Sequence, residues 1–298
     1  MNSVKEIAKE YNLTIKKYKK IGKVHVITTC EGTYCFKPKE NSNIKNVYEY
    51  LKKRQFFNVL DRLDKDDEPY EMTPYINEIP MQDEDKATEM MYILSMLHNK
   101  TTFYKSISLD EVKCFYEDHV DKLLQIRNYY DNLCYMYDEN KFLSPSEYLL
   151  IRNIAQIFNT IDLSKHFIEL WYTIAKEKTS KRMSLNHNNL DLSHILVGDN
   201  SYLISWNRAN FDSPVNDLAS FFRNNFEVVE FETFFRIYAA KYQLMPHEMY
   251  LLLAILLMPL EIKFTDDELN NTKEVYKLYL YHSKVVKFAL NYDHKNDK

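Results

Sequence analysis

The sequence predicts an α+β protein of two lobes, a small β-rich lobe over residues 1–80 and a larger helical lobe over residues 81–298 with one β-hairpin embedded in it. Three observations predict this. Residues 14–36 hold three short β-like runs separated by turn signals. From Asp83 onward apolar residues recur at helical spacing. That spacing vanishes once, between Met183 and Phe211, where two short apolar runs flank Gly198-Asp199-Asn200. A chain of 298 residues is ample to bury a sizeable core.

Asn2 and Ser3 precede a short amphipathic helix over residues 4–11. Three β-like runs follow, at residues 14–21, 23–30 and 33–36. The last two flank Glu31-Gly32, whose glycine can take positive φ, so an antiparallel hairpin turning on these two residues is expected. Ile44, Val47, Tyr48, Leu51 and Phe56 carry helical spacing. Residues 70–76 read as a strand, which Pro74 confines to an edge or a bulge, and an extended connector covers residues 74–82.

In the second lobe Met90, Ile93, Leu94 and Leu97 form one helical stripe, residues 112–133 a second, and residues 148–174 a third in which breaks are expected. Residues 194–197 and 202–204 form the embedded hairpin. Helices resume at Pro214, which suits a first helical position, and continue over residues 234–242, 247–258 and 268–290. The polar tail, residues 291–298, is expected to fray.

Composition removes several function classes. With 39 basic and 43 acidic residues the net charge is -4, so there is no global cationic field to collect nucleic acid or an anionic membrane. Gly22, Gly32 and Gly198 are the only glycines, which excludes GxGxxG and Walker-type loops, since both need glycines close together. Cys30, Cys35, Cys114 and Cys134 form no CxxC pair and read as reduced thiols. Lys5, Glu6, Lys9 and Glu10 interrupt the start, where a secretion signal would need an apolar core, so a cytoplasmic protein is expected. The longest apolar run, residues 251–258, falls short of the ~20 residues of a membrane span and reads as a buried helix.

The run His187-Asn188-Asn189-Leu190-Asp191-Leu192-Ser193-His194-Ile195-Leu196 resembles the HGDLxxxN-I-L catalytic loop of the aminoglycoside phosphotransferase and choline kinase superfamily. Leu203-Ile204-Ser205-Trp206 is similar to its metal-binding L-I-D-W strand, and Pro214-Val215-Asn216-Asp217-Leu218-Ala219 to its P-x-x-D-L-A helix start. Leu94-Ser95-Met96-Leu97-His98 resembles its L-A-x-L-H helix. Leu256-Leu257-Met258-Pro259 and Gly32-Thr33-Tyr34-Cys35-Phe36-Lys37 look like steps of the bacterial spore-coat, CotS-like branch. The resemblance runs over residues 14–290 and implies a protein-kinase-like fold with a five-stranded N-lobe sheet, and a ligand in the cleft between lobes.

Phosphoryl transfer needs a lysine on the phosphates, hard oxygen ligands for a metal, and a carboxylate to take the acceptor's proton. Thr33, Cys35 and Lys37 share a strand face, so Cys35 is expected to line the nucleotide side and Lys37 to reach the phosphates. Glu49 is the expected ion-pair partner of Lys37, and Gly22 with Lys23 the remnant of a phosphate-covering loop. The resemblance puts Asn189 at the base position, His194 at the metal-binding asparagine and Ser205 at the metal-binding aspartate. An amide takes no proton near neutral pH, and neither imidazole nor hydroxyl suits Mg²⁺. The resemblance gives His187 and Asp217 structural roles in the loop.

The expectation is therefore a pseudokinase with no intact catalytic residue and no metal site. It would act by binding spore-coat or other proteins, or a nucleotide such as ATP held without magnesium. The alternative is a divergent small-molecule phosphotransferase using Lys37 with Asp191 as substitute carboxylate. A third reading is an assembly protein with a closed cleft, which the 24 tyrosines suit.

Overall fold

The computed structural model describes residues 2–39, 44–64 and 68–296. In chain order the elements are α1 (Asn2–Glu10), β1 (Lys17–Ile21), β2 (Val24–Thr28), β3 (Thr33–Pro38), α2 (Ile44–Lys53), β4 (Tyr70–Pro74) and α3 (Asp83–Thr101). Then come β5 (Phe103–Ser106), α4 (Leu109–Asp138), α5 (Pro145–Ala175), β6 (Ser180–Asn186), β7 (Ile195–Val197), β8 (Ser201–Leu203) and β9 (Asn210–Asp212). Last are α6 (Pro214–Asn225), α7 (Phe231–Ala239), α8 (Pro246–Leu257) and α9 (Glu268–Asn296). The chain forms two compact units, residues 1–93 with 192–209, and residues 94–191 with 210–298.

The first unit is built on an antiparallel sheet in the order β1-β2-β3-β4. Alternation along the strands gives it two faces. Ile27 and Phe36, both fully buried, point to one face and pack with Ile7 of α1. Lys19, Val26, Cys35 and Thr73 stand side by side on the other. Among the described residues this sheet has four strands where the resemblance implied five. Leu63 donates its N–H to Met72 O beside β4 (2.8 Å) without extending into a further strand.

Two local expectations are corrected. The β2–β3 reversal centres on Cys30-Glu31, one residue earlier than expected, and Gly32 does not take positive φ. The reason is Thr29, whose N–H donates to Gly32 O (2.8 Å) while its Oγ1 accepts from the Glu31 N–H (3.1 Å), a threonine-led turn that leaves glycine at its exit. Helix α2 stops at Lys53 instead of reaching Phe56. Gln55 turns left-handed (φ 54°), Phe56 N donates to Leu51 O and Gln55 N to Lys52 O (both 3.0 Å), so the helix ends in a Schellman motif. Strand β4 ends at Pro74 on the outer strand, where a missing N–H costs no ladder bond.

The β7–β8 hairpin belongs to this first unit by its contacts. Leu203 N donates to Asn58 O (2.9 Å), Asn58 Nδ2 to Ser201 O (2.9 Å), and Ile79 N to Val197 O (2.8 Å). A Cβ at Gly198 in its turn would lie 2.9 Å from Ile76 Cγ2, so a side chain there would force Ile76 to shift.

The second unit is mainly helical. Ser108 and Ser144 open α4 and α5 with capping boxes, and both helices run unbroken, against the breaks expected in α5. They pack with α9 through a core that includes Leu123, Tyr130, Ile157 and Val275. Residues 251–254, 256 and 257 of α8 are buried, as a helix apolar all round requires. The sheet β5-β6-β9 was not anticipated. Four consecutive residues of β6, Met183–Asn186, are buried, which erases the alternation that would mark a strand. Helix α9 continues to Asn296 across most of the tail expected to fray, of which residues 297 and 298 lie outside the described residues. No helix of the described residues is long and apolar enough to cross a membrane.

Candidate functional site

The face of the first unit's sheet that carries Lys19, Val26 and Cys35 bears two cavities. The smaller, about 150 Å³, is bounded by Val24, Cys35, Lys37, Tyr48, Glu71 and Ser205 among others. The sheet register sets Lys37 opposite Glu71. Glu71 is already engaged, since Tyr48 donates its hydroxyl to Glu71 Oε1 (3.0 Å) and Arg62 Nε lies 4.0 Å from the same oxygen. Arg62 also lies over the Tyr48 ring and pairs with Asp64, to which Lys39 adds a second cation at 2.8 Å. Burial raises Asp64, but the bonds from Arg62, Lys39 and the Met72 N–H outweigh it and hold the carboxyl below its ordinary value. Burial, then Glu71, pushes the Tyr48 hydroxyl well up. Burial alone pushes the Cys35 thiol up to about 11, so it lines the cavity as a neutral group.

The larger cavity, about 470 Å³, lies along β1 and is bounded by Lys17, Lys19, Val26, Thr33, Tyr75 and Asn77 among others. Lys17 and Lys19 make no ion pair or hydrogen bond through their ammonium groups to a described residue, and neither does Lys37. Sequence reading missed Lys17 and Lys19, although their alternation with Tyr18 puts both on the Lys37 side of the sheet. Glu49 is not among the groups at Lys37. It is 52% exposed and pairs with Lys45 one helical turn away, while Tyr48 takes the inward place on α2. Gly22 opens the two-residue β1–β2 turn at φ 56° with open space around it, and Lys23 follows.

The β7–β8 hairpin closes through Ile204 N to His194 O (3.0 Å), which places half-buried His194 and Ser205 at its open end. Ser205 sits in the left-handed region (φ 68°, ψ 48°), a conformation costly to a residue with a Cβ. Its hydroxyl makes no capping bond to the turn that follows.

In the second unit, Asp217 organises the loop His187–Asp191. It lies in the first turn of α6, behind the Ser213 cap and Pro214, and is fully buried. Asp217 Oδ2 accepts from the His187 N–H (2.6 Å) and Oδ1 from the Asn188 N–H (2.7 Å). His98 Nε2 stands 3.2 Å from Oδ2, and His98 Nδ1 is 2.7 Å from the Tyr238 hydroxyl. Asn188 is left-handed (φ 55°), which asparagine tolerates. At the other end of α6, Asn224 and Asn225 donate to Leu190 O (3.1 and 3.2 Å). The loop thus holds its shape through buried bonds, presenting half-buried Asn189 and exposed Asp191. His98 as the third partner of Asp217 was quoted from the sequence only as part of a motif.

No protein-family model and no curated protein sequence matches this chain. Solved structures do. An aminoglycoside phosphotransferase from Alicyclobacillus acidocaldarius is similar at TM-score 0.69 with 14% identity, covering 96% of this chain and 95% of that one. A spectinomycin phosphotransferase bound to AMP is similar at TM-score 0.58 with 13% identity, covering 97% and 98%. The choline kinase of Streptococcus pneumoniae is similar at TM-score 0.50 with 15% identity, covering 97% of each chain. The chain has the kinase-like fold of these phosphotransferases, with a small antiparallel sheet at the N-terminal end and a helical C-terminal part.

Proposed function

We propose that this chain is a pseudokinase of the spore-coat, CotS-like type, which binds a nucleotide-like anion without transferring its phosphate and works through coat proteins as partners. One observation carries the reading. The cavity at Lys37 offers an amine and the Ser205 hydroxyl, while its one carboxylate, Glu71, is committed to Tyr48 and Arg62.

The residues do not fit magnesium, which asks for hard oxygen ligands in octahedral array. Asn189, His194 and Ser205 supply no carboxylate, whereas magnesium is usually held through one or two carboxylates together with substrate phosphates. Asn189 has no basic lone pair for an acceptor's proton, so general-base help, worth about 10²–10⁴ in rate, is absent. What remains is charge neutralisation by lysine, which binds phosphate as a point charge and needs no metal.

The test is thermal stability with ATP in EDTA and in magnesium. At a hundred times its Kd, ATP should add about 2.7 kcal/mol in either buffer, and Lys37→Ala should abolish the effect. Stabilisation that requires magnesium and disappears in Asp191→Asn would instead establish a divergent phosphotransferase. No response to ATP in either buffer would leave assembly with coat partners as the whole function.

A further inference from the structure

The second unit holds a cavity of about 370 Å³ that the kinase-like reading leaves unused. The N-terminal end of α4, the C-terminal end of α5, β6 and the start of α8 enclose it. Its size lies in the range of small-molecule pockets, which are mainly apolar with a few placed polar groups. Trp171, Phe115, Val112 and Leu251 form the apolar wall, and the Trp171 and Phe115 rings meet at 5.1 Å.

The charges around this wall are not balanced in what they have left to bind. Each carboxylate is occupied. Glu111 Oε2 accepts from the Ser108 N–H (2.8 Å), and Asp212 accepts from Ser213 N (2.7 Å) and Asn216 Nδ2 (2.8 Å). Glu248 pairs with Arg182 and accepts from Met245 N (2.8 Å). Lys178 and Lys181 also line the cavity, and neither ammonium has an ion pair or hydrogen bond with a described residue, although Lys181 adds to the lowering of the Glu111 pKa that the Ser108 bonds chiefly cause. His247 lies on the same cavity. Burial lowers its pKa, Glu248 opposes, and Lys178 and Arg182 add to the lowering.

We infer that this cavity is a binding site for a small amphiphilic carboxylate, an aromatic or medium-chain aliphatic acid whose apolar body lies on Trp171 and Phe115 and whose carboxylate meets Lys178 and Lys181. The site is distinct from the Lys37 cavity, and every residue it uses belongs to the second unit.

Calorimetric titration of the full chain with octanoate, octan-1-ol and octylamine tests it, because the three share an apolar body and differ in head-group charge. Octanoate should bind about tenfold more tightly than the alcohol, and the amine least, since a charge-assisted bond outweighs a neutral one. Octanoate should change the fluorescence of Trp171, and the change should be missing in Trp171→Phe. The double variant Lys178→Gln/Lys181→Gln should lose about tenfold in octanoate affinity and leave the alcohol unaffected, whereas Lys165→Gln, a lysine of α5 outside the cavity, should change neither. Equal affinity for the three ligands, no binding of octanoate, or an unchanged double variant would overturn the assignment.

Discussion

Asp217 shows how much one side chain can hold. It is fully buried and satisfies two backbone N–H groups of the loop as well as facing His98. Asp217→Ala leaves those donors without an acceptor, and chemical denaturation should show a loss of about 3 kcal/mol or more. A loss below about 1 kcal/mol would mean that the loop keeps its shape by other bonds. Ser205 makes the opposite case. Its φ of 68° suits glycine, so Ser205→Gly should raise stability by about 1 kcal/mol, read as a higher melting temperature. A lower melting temperature would show that the Ser205 side chain contributes more than its strained backbone costs.

At the scale of elements, two buried imidazoles set a pH dependence. His119 on α4 and His282 on α9 are both pushed down to about 4, chiefly by burial, with Arg223 adding to the effect in both. The unfolded chain, with histidine near 6.5, therefore binds protons first as pH falls. The stabilisation from each neutral histidine is complete above pH 6.5 and is lost progressively down to about 4, at about 1.4 kcal/mol per pH unit for each group. The two differ in their partners. His119 Nε2 meets Ser164 Oγ at 3.1 Å, whereas neither ring nitrogen of His282 has a hydrogen-bond partner among the described residues. His282→Leu should then be neutral or stabilising at pH 7 and should flatten the fall in melting temperature between pH 6.5 and 4.5. An unflattened profile would remove His282 from this account.

Elements also show where sequence stops being legible. The Cys35 and Lys37 side of β3 was readable because a strand repeats every two residues, and a single hairpin fixes which side each residue takes. Glu49 was not, because a helix phase has to be inferred from few residues. Yet the apolar spacing Val47, Tyr48, Leu51 already favoured Tyr48 as the inward residue and left Glu49 outside. Strand β6 stayed hidden because its last four residues are buried on both sides. The Cys30-Glu31 turn was displaced by a threonine hydroxyl bond that no periodicity records.

At the scale of the molecule, a kinase-like fold is present, and the proposed loss of phosphoryl transfer rests on Asn189, His194 and Ser205 standing where the sequence resemblance expects groups that hold and use a metal. Burial of Asp217 and its bonds to the His187 and Asn188 N–H groups hold the loop's shape, and none of these bonds involves the Asn189 side chain. The claim is tested most directly by the release or transfer of labelled phosphate from ATP, measured with magnesium or manganese against aminoglycosides, choline, sugars and protein acceptors. No transfer above background is expected for the wild-type chain, and none for Lys37→Ala. Robust transfer by the wild type that is abolished in Lys37→Ala would contradict the account.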